Sequence, residues 1–168
     1  MFLRHTGAVA VWVILPLYMA FLGASNFWIG IIYAINPAIQ FLIMRRLDKF
    51  RNEWLIKWGI ITSGLAFISY SLAQNFYSII PGMVLIAFGW AFLYVGANRL
   101  VVERNIEKAS SAGILNASTS AADIAGSLLG GTIMQYLGYR QTMIFAIVCG
   151  ILSLSFFVWM NKSSKVSA

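Results

Sequence analysis

Charge is what this sequence has least of. Only 10% of its 168 residues are Asp, Glu, Lys or Arg, where a soluble domain of this size carries about 25%. Too few polar residues are present to clothe a water-soluble surface, and 60% of the chain is hydrophobic with a mean hydropathy of +0.80. That excludes an ordinary soluble fold and points to a chain whose outer face is solvated by lipid. Histidine and cysteine occur once each. A single cysteine, Cys149, closes no internal disulfide and lacks the companions of a zinc site, so it reads as a small hydrophobe within its apolar run. No metal site and no cofactor are expected. Acidic residues number five, and only Asp123 falls inside an apolar run. With His5 the sole histidine, the chain lacks paired carboxylates, a nucleophile with its base, or a ligand set, so enzyme chemistry is not expected.

What is present is apolar length. Six segments near the ~20 residues needed to cross a hydrocarbon core as helix cover residues 3–22, 26–45, 54–73, 76–97, 111–136 and 140–160. None alternates apolar with polar residues, which disfavours barrel strands. The sequence therefore predicts an all-α polytopic membrane protein of six transmembrane helices in a single domain. A cleaved signal peptide is the rival for the first segment. Pro16 and Tyr18 interrupt that run, and it is long for such a region.

The connections alternate in character. "GASN", "AQN" and "LGYRQ" follow the first, third and fifth segments, whereas "RRLDKFRNE", "NRLVVERNIEKASS" and "NKSSKVSA" follow the second, fourth and sixth. This puts Arg4, Arg45, Arg46, Lys49, Arg51, Lys57, Arg99, Arg104, Lys108, Lys162 and Lys165 on one side, against Arg140 alone on the other. Such asymmetry predicts a cell-membrane protein with both termini cytoplasmic. It also accounts for the net charge of +7 without nucleic acid as a partner; the partner it implies is the lipid bilayer.

Polar residues inside the spans are costly, so their placement is informative. In the second segment Asn26, Tyr33, Asn36 and Gln40 share one helical face, with Pro37 behind Asn36. Two readings fit the amides: contact with a ligand, or hydrogen bonds that glue helices together. In the fifth, Asn116, Thr119, Ser120, Asp123 and Ser127 span an arc of about 100°, and Asp123 lies about 18 Å beyond Ser111. Asp123 reads either as a proton or cation site or contact to a positive substrate group, or as a protonated packing residue. Beside this arc, Ser118, Ala122, Gly126 and Gly130 recur every four residues, a pattern that lets helix backbones approach closely and predicts a helix buried in protein. In the fourth segment Trp90, Tyr94 and Asn98 form an i, i+4, i+8 stripe, either packing or the wall of a binding site. The sixth has no polar arc and reads as lipid-facing.

"LPLYMAFLGAS", the charged loop after the second segment, and "ASSAGILNASTSAADIAGSLLGGTIMQYLGYR" together resemble the C-terminal six-helix half of a major facilitator superfamily transporter. The loop is similar to that family's motif, glycine-x-x-x-Asp-Arg/Lys-x-glycine-Arg-Arg/Lys. Asp48 and Lys49 match, Met44 and Arg51 stand at the glycine positions, and Asn52 and Glu53 replace the last basic pair. The resemblance implies two inverted three-helix repeats, and alternating access moving a small solute past Asp123, Asn116, Ser120, Asn36, Gln40, Trp90 and Tyr94. It also implies a conformational-switch loop of Arg45, Asp48 and Lys49, with Asp48 held against the helix start near Ser111. In its map the first and fourth helices line the cavity, the second and fifth meet the other half, and the third and sixth face lipid. Family members carry two such halves, so the implied partner is a second six-helix half or another copy of this chain. The alternative is a membrane scaffold or truncated remnant without transport.

Overall fold

The helices follow from the apolar runs. A backbone in hydrocarbon has no water to satisfy its N–H and C=O groups, so each run closes its own hydrogen bonds. A computed structural model of the chain describes the backbone of residues 1–166 and the side chains of residues 1–160. The side chains of Lys162 and Lys165, two of the cations counted above, lie outside those described. Six long helices run in order: α1 (Phe2–Phe21), α2 (Asn26–Met44), α3 (Asn52–Ser71), α4 (Ile80–Arg104), α5 (Lys108–Leu137) and α6 (Tyr139–Val166). Short 3-10 turns occupy Leu47–Lys49 and Phe76–Ile79, and no strand occurs among the described residues. Asn75 caps the second turn, its side-chain oxygen accepting from the Ser78 N–H at 3.0 Å.

Among the described residues, four helices are long and apolar enough to cross a membrane: α1, α2, α4 with its preceding turn, and α6 over Tyr139–Met160. α3 and α5 have the length, at 20 and 30 residues, but the polar residues noted above keep them below that apolarity. The predicted fourth span ends at 97, whereas α4 continues to Arg104. α5 begins at Lys108 rather than 111, so the long loop expected between them shrinks to residues 105–107. Leu100, Val101 and Val102 carry the helical pattern past the apolar run, and charged neighbours do not stop a helix that lacks Pro or Gly.

The core is built from α1, α3 and α4, where Leu15, Tyr18, Phe67, Tyr70 and Met83 are all buried. The main interfaces are α3 with α4 and α6, α1 with α5 and α6, and α2 with α4. This pattern has an internal symmetry. Exchanging α1 with α4, α2 with α5 and α3 with α6 turns the α1–α5 interface into α2–α4 and the α1–α6 interface into α3–α4. The α3–α6 interface maps onto itself.

Small residues set the close approaches. A Cβ on Gly126 would lie 2.6 Å from the Thr6 carbonyl oxygen, and one on Gly130 would lie 2.6 Å from the Ala10 Cα. The row Ala122–Gly126–Gly130 is thus the α5 seam against α1. The rest of α5 is not buried as its sequence suggested: beyond these three residues it is half-buried or exposed. On α6 the exposed face is apolar, including Ile144, Val148, Ile151 and Phe156. Cys149 is buried at the α1–α6 contact, its Cβ 2.9 Å from where a Gly7 Cβ would stand.

Candidate functional site: a polar cluster at mid-depth of the bundle

The α1–α5 seam fixes the depth at which the start of α1 enters the bundle. With Thr6 against Gly126 and Ala10 against Gly130, the first turn of α1 lies beside the middle of α5 rather than its beginning. His5 Nε2 stands 2.9 Å from Asp123 Oδ1, which lies roughly 22 Å along α5 from Lys108 at 1.5 Å per residue. Arg4, the neighbouring residue, reaches α3. Its Nε donates to Ser63 Oγ at 3.0 Å and its Nη2 donates to the same oxygen. Ser63 Oγ donates in turn to the Gly59 carbonyl at 2.6 Å. Arg4 is therefore not one of the surface cations of the charge count. It is fully buried, 0% exposed, in the interior of the bundle.

Trp90 of α4 joins the two. The His5 ring stacks on it with centroids 4.9 Å apart, and the Arg4 guanidinium carbon sits 5.8 Å from its ring centroid. Contacts thus run Arg4, Trp90, His5, Asp123. From α2, Asn36 is buried and Gln40 half-buried, with Gln40 Nε2 donating to Asn36 Oδ1. The two amides bond each other one turn apart instead of gluing α2 to a neighbour. Tyr33 performs that second task, donating to the Trp12 carbonyl at 3.0 Å.

These groups surround a cavity of about 240 Å³ lined by Arg4, His5, Trp12, Asn36, Gln40, Tyr70, Trp90 and Asp123 among others. A second cavity, of about 260 Å³, lies between the Trp90–Tyr94–Asn98 stripe and Asn116, Thr119 and Asp123. His5, Trp90 and Asp123 belong to both walls, so the His5–Asp123 pair stands where the two meet. The stripe and the arc read separately from the sequence are opposite sides of one groove. Asn116 lines it. Ser120 is exposed outside both cavities, and Asp123 is 56% exposed at its side chain.

The charged loop lands elsewhere. Asp48 and Lys49 sit in the turn after α2 beside the end of α4. There Arg99 Nη1 donates to the carbonyls of Leu47 at 3.3 Å and Phe50 at 3.5 Å. Arg104 pairs with Glu53 at 3.0 Å, and Asn52 Nδ2 donates to Glu103 at 2.5 Å. Asp48 is exposed and makes no hydrogen bond or ion pair among the described residues. The contact expected with the helix start at Ser111 is not formed: Asp48 stays exposed while Arg99 holds the backbone of the loop. Ser111 N–H bonds to the Glu107 carbonyl at 3.1 Å within its own helix. Arg45 is exposed, its guanidinium 4.5 Å from the Phe41 ring centroid.

Two members of the central cluster were not read from the sequence as functional: Arg4, taken as a flanking cation, and His5, noted only as the sole histidine. The available signal was their position, with only Thr6 between them and the apolar run. Arg4, Val11 and Tyr18 share one stripe at spacings of seven, and all three are buried. No protein-family model matches the chain, and no curated protein matches its sequence.

Proposed function

We propose that this chain is one six-helix half of a secondary transporter of the major facilitator type, carrying a small solute by alternating access in the cell membrane, with the charged loops on the cytoplasmic side. The role is carriage, not catalysis. The observation that carries it is the convergence of Arg4, His5, Asn36, Gln40 and Asp123, from three helices, on one cavity at mid-depth of an apolar bundle. Midplane polar residues are expensive to keep, and in membrane proteins they mark substrate or ion paths. The contact pattern exchanging α1–α3 with α4–α6 supports two three-helix repeats. α3 and α5 cross as well in this proposal, since Ser63 turns toward α1 and Asn116, Thr119 and Asp123 line a groove. With Arg4 removed from the count, ten cations still oppose Arg140, which supports the orientation.

The partner in this proposal is a second six-helix half. α2 and α5 bury few residues within the chain, Ile32 and Asn36 in the one and Ala122, Gly126 and Gly130 in the other. Their remaining faces are free for it. In cells making the protein, Asp123→Asn is expected to abolish uptake of the solute, found by screening labelled compounds, while the yield and helicity of the extracted chain stay at the unmodified level. Unchanged uptake overturns the role of Asp123. Absence of uptake of every compound by the unmodified assembly leaves the membrane scaffold as the better reading.

A further inference from the structure

Arg4 is the least reconciled group in the bundle. Its side chain is wholly buried, it lines the central cavity, and its Nη1 has no hydrogen-bond partner. No carboxylate stands within 4.0 Å of it among the described residues. Asp123 is engaged by His5 at 2.9 Å. A charged guanidinium in such a place is costly unless an anion arrives to meet it. Ser63 occupies the edge formed by Nε and Nη2, which leaves the edge formed by Nη1 and Nη2. Two parallel N–H donors match the two oxygens of a carboxylate.

Resting on the transport proposal above, we infer that Arg4 recognises the solute, and that the solute is a small monocarboxylate with an apolar or aromatic body. A phosphate dianion fits less well, because no Lys or second Arg lines the cavity and one free edge supplies only two donors. A cationic solute would meet Arg4 as a like charge. The rest of the wall, with Trp12, Phe67, Ile86 and Trp90, suits the apolar body, and Trp90 lies beside the guanidinium where a ring can stack.

The test is equilibrium binding of radiolabelled benzoate to the purified full chain in lipid nanodiscs. Saturable binding is expected, displaced by cyclohexanecarboxylate but at least tenfold less effectively by benzyl alcohol, benzylamine or phenyl phosphate. Arg4→Gln should weaken benzoate at least tenfold, with Arg4→Lys intermediate. No saturable binding, or equal displacement by benzyl alcohol, overturns the inference, as does stronger displacement by phenyl phosphate. This ranking uses the unmodified chain, so a variant that fails to fold does not rescue it. Carboxylate-selective binding without uptake of any carboxylate by the assembly overturns the transport proposal and leaves Arg4 as an anion site. Uptake confined to neutral or cationic solutes overturns the substrate class and leaves transport standing.

Discussion

Among the described residues, two groups of charged side chains lie at different depths, and they are held by different means. At the end of α4, Glu103 and Arg104 meet Asn52 and Glu53 of α3 and Arg99 meets the turn before it, but Arg104 and Glu103 are 62% and 57% exposed at their side chains. Water substitutes for any partner lost there, so each pair contributes little. At mid-depth, Arg4 and His5 are closed off by α1, α3, α4 and α5, and a lost partner leaves a buried polar group unsatisfied. The richer cluster of charge is thus the weaker one energetically. The sparse one ties α1 to α3 and to α5, and losing either tie leaves a buried group without its partner.

The largest expected break in that contrast is made with a residue that has no charge. Gly130→Val puts a side chain where the Ala10 backbone already stands, and α1 must move away from α5. Overpacking of this kind costs about 2–3 kcal/mol, and it separates His5 from Asp123 while the α3–α4 end contacts stay formed. Gly131→Val, one position on, meets nothing within 4 Å and should change stability by no more than about 0.5 kcal/mol. Unfolding midpoints in mixed micelles compare the two. Equal losses would mean that the seam does not hold the cluster.

The same seam explains what the sequence could and could not tell. Six helices were legible because apolar runs of membrane length have few other solutions. The polar faces of α2 and α5, and the aromatic stripe of α4, were legible because helical periodicity places their members together whatever packs against them. The row Ala122–Gly126–Gly130 announced a close helix contact for the same reason. The depth of Arg4 was not legible. It depends on which turn of α1 meets which turn of α5, a register set by Gly126 against Thr6 and Gly130 against Ala10, and hydropathy contains no term for it. The charged loop failed in a related way. Its likeness to a known motif pointed Asp48 toward Ser111, yet the packing of α4 along α3 brought Arg99 to the loop instead.

The His5–Asp123 pair is the intermediate case, since one partner is 10% and the other 56% exposed at the side chain. A double-mutant cycle of His5→Ala and Asp123→Ala is expected to give a coupling of about 1 kcal/mol. A coupling near zero would make the pair a consequence of the seam and not a contributor to it.

The smallest effect belongs to Glu53 and Arg104, and it sharpens the comparison because the pair has the same kind of geometry as the central one, at 3.0 Å. Distance alone would predict equal strength. Exposure predicts otherwise: in high dielectric the Coulomb gain nearly balances the entropy of holding two long side chains, and added salt screens what is left. The cycle of Glu53→Gln and Arg104→Gln should therefore give about 0.3 kcal/mol at low ionic strength and nothing measurable in molar salt. The His5–Asp123 coupling, shielded on the histidine side by Trp90 and the cavity wall, should keep most of its value under the same salt. If both couplings fall together, depth in the bundle is not what separates the two clusters, and the energetic primacy given to the central one is lost.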